Sequence, residues 1–287
     1  MKIDSNVFRV GPRDKVDLTE RPTSVEPFYE SERQYKKILK DHVKDLTSLQ
    51  RLHYVANHCA LLLIFQGMDT AGKDGAIQHV MSGINPQGVK VWSFQEPSTE
   101  ELHHDFLWRT TSRLPERGQI AIYNRSYYEE VLIVRVHPKI LSKQELPDEL
   151  FDKKTIWTDR YRSIADFEEH LHRNGTHVIK IFLHLSKDEQ AKRLRERIDS
   201  PEKNWKINDS DFYERDFWKS YMKAYEACLN STSTEHSPWF IVPADNKENA
   251  RLIVSQVLLN WFQGLNLEYP KTTKIRRQEL ASFRNKL

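Results

Sequence analysis

Phe65-Gln66-Gly67-Met68-Asp69-Thr70-Ala71-Gly72-Lys73-Asp74-Gly75 reads GxxxxGK followed by an acid, directly after the short, wholly apolar run Cys59 to Phe65. That run has the character of a strand buried on both faces of a parallel sheet, and the residues after Lys73 have helical spacing. Strand, glycine-rich turn and helix in this order make a phosphate cradle. The glycines let backbone N–H groups point at phosphate oxygens, the helix N-terminus adds partial positive charge, and Lys73 supplies a mobile ammonium. Gly67, Met68, Thr70, Ala71, Gly72, Asp74 and Gly75 are the candidate phosphate-binding positions around it. The Ser or Thr that commonly follows the lysine, and whose hydroxyl ligates magnesium, is Asp74 here. A second acid, Asp69, sits inside the loop. A hard divalent cation wants oxygen ligands and is readily shared with substrate phosphates, so either carboxylate suits it. Asp69 is the preferred ligand.

On the N-terminal side, residues 1–27 show no periodicity and contain Pro12, Pro22 and Pro27, which predicts an extended arm on the surface. Tyr35, Leu39, Val43, Leu46, Leu49, Leu52 and Ala56 then recur at spacings of three and four, predicting one long helix from about Ser31 to Asn57. Its apolar stripe must be covered, either by the parent domain or by a second copy of the chain.

On the C-terminal side strands and helices alternate. Val89, Val91 and Phe94 predict a second strand, and Ser98 with Glu101 forms a capping box that opens a helix through about Ser112. Ile120 to Tyr123 predicts a third strand, followed by a helix from Ser126 to Val136 and another from Thr155 to Arg173, stopped by Asn174-Gly175. His177 to Leu185 is the fourth strand, and Ser186 with Glu189 forms a second capping box before a basic helix. Phe217, Tyr221, Ala224 and Cys228 mark the next helix, Trp239 to Val242 the fifth strand, and Lys247 to Phe262 the last main helix. Five apolar strands separated by helices imply an α/β fold with a parallel sheet covered on both faces and a ligand crevice at the carboxyl ends of the strands. The glycine loop, Asn124-Arg125-Ser126 and the basic helix all follow strands and converge there. The domain reading is an arm and long helix over 1–57 and an α/β phosphate-binding domain over 58–287.

The chain carries 44 basic and 41 acidic residues in 287, a net charge of +3, which gives no general field for nucleic acid. No apolar run approaches a membrane span and no signal core opens the chain, so a cytoplasmic protein is expected. Cys59 and Cys228 lie far apart, without metal spacing, and read as reduced core residues. His103-His104-Asp105 lacks a third placed ligand and reads as structural. Lys271, Lys274, Arg276 and Arg277 read as a solvated face.

The strings GMDTAGKDG (67–75), MSGINPQG (81–88), HDFLWR (104–109), NRSYYEEVL (124–132), VHP (136–138), LSKDEQAKRLRERI (185–198) and PWFIVPADNK (238–247) together resemble polyphosphate kinase family 2 in order from Tyr29 to Trp261. The resemblance implies a P-loop kinase fold related to thymidylate kinase, with a five-stranded parallel sheet between helices in the domain over 58–287, a helical lid around 187–216 and an N-terminal helical extension. It implies transfer of a terminal phosphoryl group between inorganic polyphosphate and nucleoside mono- or diphosphates, with Mg2+ or Mn2+. Adenine nucleotides are the expected acceptors, guanine nucleotides are candidates, and a dimer or tetramer of like chains is expected. By the same resemblance Asp69 and Lys73 match the acid and lysine of the phosphate loop, Arg125 the arginine of the second motif, and Arg193 and Arg197 the lid. Residues 239–247 would lie near the nucleotide. Many members have Asp where this chain has Asn124, and the Asn type resembles the subgroup that uses AMP as well as ADP.

The residues alone leave alternatives. Arg125 either binds phosphate or pairs with Glu129. Arg109 is either a buried ion-pair partner or a polyphosphate contact. On the basic helix, Ala191, Leu194 and Ile198 define the inward side, which predicts cations facing the crevice. Two competing functions remain: an ATP-dependent nucleoside monophosphate kinase, and a non-catalytic polyanion-binding module with steep salt dependence.

Overall fold

Strand β1 (Ala60–Gln66) is buried along its whole length, as its unbroken apolar run requires. The computed structural model describes residues 3–150, 152 and 154–287, so the first two residues of the arm lie outside them. With β2 (Val89–Ser93), β3 (Ile120–Asn124), β4 (Thr176–His184) and β5 (Trp239–Pro243), β1 forms a five-stranded parallel sheet in the order β2-β3-β1-β4-β5. From β1 the chain steps to the far edge of the sheet with β2, fills the gap with β3, and then crosses to the other side of β1 for β4 and β5. The order therefore reverses at β1, where a crevice opens at the carboxyl ends of the strands.

The helices are α1 (Glu32–Ala56), α2 (Lys73–Val80), α3 (Thr99–Leu102), α4 (Trp108–Thr111), α5 (Ile133–Val136) and α6 (Pro138–Ser142), followed by α7 (Ile156–Arg173), α8 (Lys187–Asp199), α9 (Asp209–Asp216), α10 (Trp218–Thr232), α11 (Lys247–Gly264) and α12 (Lys274–Arg284). Side chains alternate across the sheet. Leu61, Leu63 and Phe65 join Ile181, Val242 and the α2 and α11 side chains in one core, while Leu62 and Ile64 join Tyr123, Phe182, Trp239 and the α7 and α10 side chains in the other. No helix of the described residues is long and apolar enough to cross a membrane.

Helix α1 begins where the sequence places it, because the Ser31 hydroxyl accepts from the Gln34 amide, and it ends at Asn57 in the left-handed conformation. Its stripe lies on α11 of the same chain, with Tyr35 and Leu46 in the sheet's own core. The arm departs from the surface reading. Ile3, Phe8, Val10, Val16 and Leu18 are buried, and the Val10 amide donates to the Trp239 carbonyl at 2.8 Å, beside a bridge from Arg9 to Phe240. Isolated apolar residues in a strap have no period, so their burial leaves no pattern to read.

Two expected helices are broken. The capping box at Ser98 and Glu101 is present, but it starts a single turn. The Asp105 carboxylate then takes the Leu107 amide at 2.9 Å and restarts the chain before α4. After β3, the Ser126 hydroxyl takes the Tyr128 amide at 3.1 Å, and a 3-10 turn over Tyr127–Val131 replaces the first part of the expected helix. At α8 the Ser186 hydroxyl caps the Glu189 amide as read, but the Glu189 carboxylate turns to Arg193 instead of completing the box.

Candidate active site

The loop from Gly67 to Gly72 turns the chain out of β1 and into α2. Gly67 has a φ of +155°, and a side chain there would meet the Leu183 carbonyl at 2.9 Å and the Ala71 Cβ at 3.1 Å. Gly72 caps α2 at a φ of +101°. Both positions need glycine for conformation, and the first also for space. The opening N–H groups of α2 have no partner within the helix and present a positive end to the crevice. Lys73, the first residue of α2, curls back so that Nζ donates to the Gly67 carbonyl at 2.6 Å and the Met68 carbonyl at 3.3 Å.

Register brings the second segment alongside. Phe65 of β1 pairs with Asn124 of β3, and the Arg125 amide donates to the Phe65 carbonyl at 3.1 Å. Arg125 adopts a φ of +64°, an unusual conformation for a residue with a side chain, costing about 1–2 kcal/mol. Its Nη2 donates to Asp69 Oδ1 at 3.0 Å. Glu129, Asp69 and nearby tyrosine hydroxyls raise the guanidinium's pKa against the opposing effect of burial, with Glu129 the largest cause. Lys73 moves the other way. Burial lowers its pKa, and repulsion from Arg125 lowers it further against the pull of Asp69, Glu129 and Asp74. Two cations held this close are relieved by an anion between them.

Asn124 Nδ2 donates to Asp74 Oδ1 at 2.7 Å, which ties the end of β3 to the start of α2. The Asn124 Oδ1 is buried without a protein partner. Asp69 is half-buried with one oxygen on Arg125, and Asp74 is exposed. No group of three or more His, Cys, Asp or Glu suited to a metal occurs among the described residues. What the loop and the end of β3 do offer a hard cation is oxygen: the Asp69 carboxylate and the orphaned Asn124 side-chain carbonyl.

The basic helix differs from its sequence reading. Arg193 is only 5% exposed and turned inward, while Ile198, expected inside, is 45% exposed. All five donors of the Arg193 guanidinium are used: Nε on Glu189 Oε1 at 2.9 Å, Nη1 on the carbonyls of Thr70 at 3.0 Å and Ala71 at 3.2 Å, and Nη2 on those of Ala244 at 2.6 Å and Asp245 at 3.0 Å. Tertiary acceptors outweigh the amphipathic pattern here. Arg197 stays toward the crevice, 3.9 Å from Asp211 of α9. Arg109 lies elsewhere. It is buried with Nη1 on the Gln95 carbonyl at 2.8 Å and 3.6 Å from Glu101, lining a small separate cavity with Glu130 and Arg160. Of the two readings left open for Arg109, its geometry is that of the buried ion-pair partner, away from the phosphate loop. His104 donates Nδ1–H to the Glu100 carbonyl and stacks on Trp108, a structural role as read. Of residues 239–247, Trp239 is core and Lys247 reaches the crevice.

The crevice is a cleft of about 990 Å³ that gathers Gly67 to Gly75, Asn124, Arg125, Arg193 and Arg197. It also holds residues the sequence reading missed. Glu129 lies in the same string as Arg125 and was weighed only as its partner. Lys203, Lys206, Asp211, Glu214, Tyr221, Tyr225 and Arg251 line it without any shared period. Two of the cleft cations face a carboxylate only at the edge of ion-pair distance, Lys206 with Asp74 and Lys247 with Glu196, both at 4.0 Å. Such loose, half-exposed pairs are weak and exchange readily for a stronger anion.

Comparison with known proteins agrees in extent and kind. The profile for polyphosphate kinase 2 matches residues 29–270. The chain is 58% identical over 287 residues to an ADP-polyphosphate phosphotransferase of Rhodopseudomonas palustris, covering 100% of this chain and 99% of that one. It is 43% identical over 226 residues to an AMP/ADP-polyphosphate phosphotransferase of Meiothermus ruber, covering 79% and 80%. Among solved structures, a polyphosphate kinase 2 from Arthrobacter aurescens TC1 superposes with a TM-score of 0.86 at 37% identity over 97% of this chain and 96% of that one.

Proposed function

This chain belongs to the polyphosphate kinase 2 family, and on that premise we propose that it moves the terminal phosphoryl group of inorganic polyphosphate to a nucleoside mono- or diphosphate, and back. The observation that carries the reading is the convergence of Lys73, Arg125 and Asp69 on one glycine loop at the switch point of a parallel sheet. In the forward direction an oxygen of the acceptor's last phosphate attacks the terminal phosphorus of polyphosphate. One P–O bond forms, the bridging P–O bond breaks, and the shortened chain leaves with the electron pair. The phosphoryl in flight carries charge on its equatorial oxygens and asks for position and positive charge, so no nucleophilic side chain is required. Lys73 and Arg125 supply that charge, and the N–H groups opening α2 hold the phosphate in place.

Mg2+ or Mn2+ is the expected partner of the phosphates. Asp69 would hold it, with the Asn124 carbonyl oxygen the further candidate, and the ion would neutralise charge on the transferring group. The acceptors proposed are ADP and AMP, the nucleotides in the names of the relatives from R. palustris and M. ruber, with guanine nucleotides tested beside them. A homo-oligomer in the cytoplasm completes the proposal, with both buried thiols free. Turnover of ADP with polyphosphate and magnesium in the absence of ATP tests it. No product under those conditions defeats it.

A further inference from the structure

Three consecutive carbonyls of the phosphate loop are held from behind by one turn of α8. Gln190 Nε2 donates to the Asp69 carbonyl at 3.0 Å, and Arg193 Nη1 to those of Thr70 and Ala71. Gln190 and Arg193 stand three apart, so both reach the loop from one helix face. In a trans peptide the carbonyl and the following N–H point in opposite directions. Fastening carbonyls 69 to 71 toward α8 therefore turns the following N–H groups away from it; that of Ala71 closes on the Met68 carbonyl at 3.1 Å, completing the turn.

Gln190 does more than brace the loop. It is 1% exposed, and while its nitrogen holds the loop, its Oε1 accepts from Arg215 Nη1 at 2.6 Å. Arg215 lies on α9, whose Asp211 and Glu214 line the cleft, and the same Nη1 also donates to the Lys187 carbonyl at 3.1 Å. Helix α9 has no buried residue of its own, so its position depends on such contacts. We propose that Gln190 is a positioning residue that couples the placement of α9 over the cleft to the geometry of the phosphate loop. Arg193 is the fixed part of the same brace. The proposal rests on the phosphate-transfer reading of this site. A buried amide satisfied at both ends transmits displacement because neither partner is replaced by water without loss.

The test is a double-mutant cycle with Gln190→Leu and Arg215→Leu, reading kcat and KM for polyphosphate with ADP, together with triphosphate binding by calorimetry. Wild-type turnover is measured first, because its absence defeats the phosphate-transfer reading, whereas normal turnover in the variants defeats the coupling. The expected outcome is a fall in kcat on the order of tenfold or more for Gln190→Leu, since small misplacement of a reacting group is costly. Arg215→Leu should raise KM, and its effect should shrink at least threefold in the Gln190→Leu background. Gln190→Glu keeps the acceptor for Arg215 and loses the donor to Asp69, so it should lower kcat while KM stays near wild type. Effects that multiply independently to within about twofold overturn the coupling. Where Gln190→Leu fails to fold by circular dichroism, Gln190→Met takes its place. Where that also fails, unchanged kcat and KM in Arg215→Leu alone overturn the proposal, and raised KM sustains it.

Discussion

Lys73 stands beside another cation in a partly buried pocket, and its lowered pKa means that the folded protein holds that proton less tightly than the unfolded chain does. The sign follows for stability. The penalty is fully present below the folded pKa and fades as pH rises toward the unfolded value. At neutral pH without anions, Lys73→Ala should therefore melt no lower than wild type, a common trade at functional sites. The same variant should lose the stabilisation that triphosphate gives wild type, and calorimetric melting with and without triphosphate checks both. Turnover in Lys73→Ala and in Asp69→Asn should fall by about 10² to 10⁴ with circular dichroism unchanged. A near-normal rate in either variant removes that residue from the mechanism. Burial pushes the Cys228 thiol up to about 12, so native protein at pH 8 should show almost no reaction of this thiol with a disulfide reagent until denaturant is added. The loop residues were legible because glycine, lysine and acid at fixed spacing have few other uses. The inward turn of Arg193 was not, because four of its five bonds go to backbone carbonyls from two distant loops, and a backbone acceptor leaves no trace in the residues that carry it.

At the level of elements, α1 was readable to its caps, since Ser31 and Asn57 mark them and seven apolar positions keep one period. The sequence left open what covers the stripe, and the structure answers with α11. Leu46 is 0% exposed in that contact, so Leu46→Ala should cost about 2–5 kcal/mol in urea denaturation. A loss under 1 kcal/mol would mean the helix contributes little to the core. Helices 99–112 and 126–136 were misjudged where Asp105 and Ser126 take backbone amides from the helical ladder. In α8 the corrected geometry separates two arginines that the sequence had paired. Arg197→Gln should raise KM for long polyphosphate and flatten its salt dependence, because one cleft cation is lost. Lys274→Gln with Arg276→Gln on the wholly exposed α12 should leave both unchanged. Equal damage from the tail pair would move the polyphosphate path.

The whole molecule follows from one topological fact: β1 lies between β3 and β4, and the segments that end these strands meet over its carboxyl end. Alternation of five apolar runs with helices made the parallel sheet legible, and with it the place of the crevice. The strap over 3–18 and the individual lining residues between Lys203 and Glu214, inside the expected lid, were not, because neither set has a period and both are defined by what they pack against. Self-association of the full chain is expected from the family, and light scattering should give a dimer or tetramer. A monomer at working concentration would confine the site to one chain. The central claim is that polyphosphate is the phosphoryl donor. Purified protein with magnesium should be given polyphosphate without ATP, and AMP, ADP, GMP and GDP in separate reactions, with products resolved by chromatography. The account expects ATP from ADP, and ADP followed by ATP from AMP. Product formed only when ATP replaces polyphosphate would contradict it.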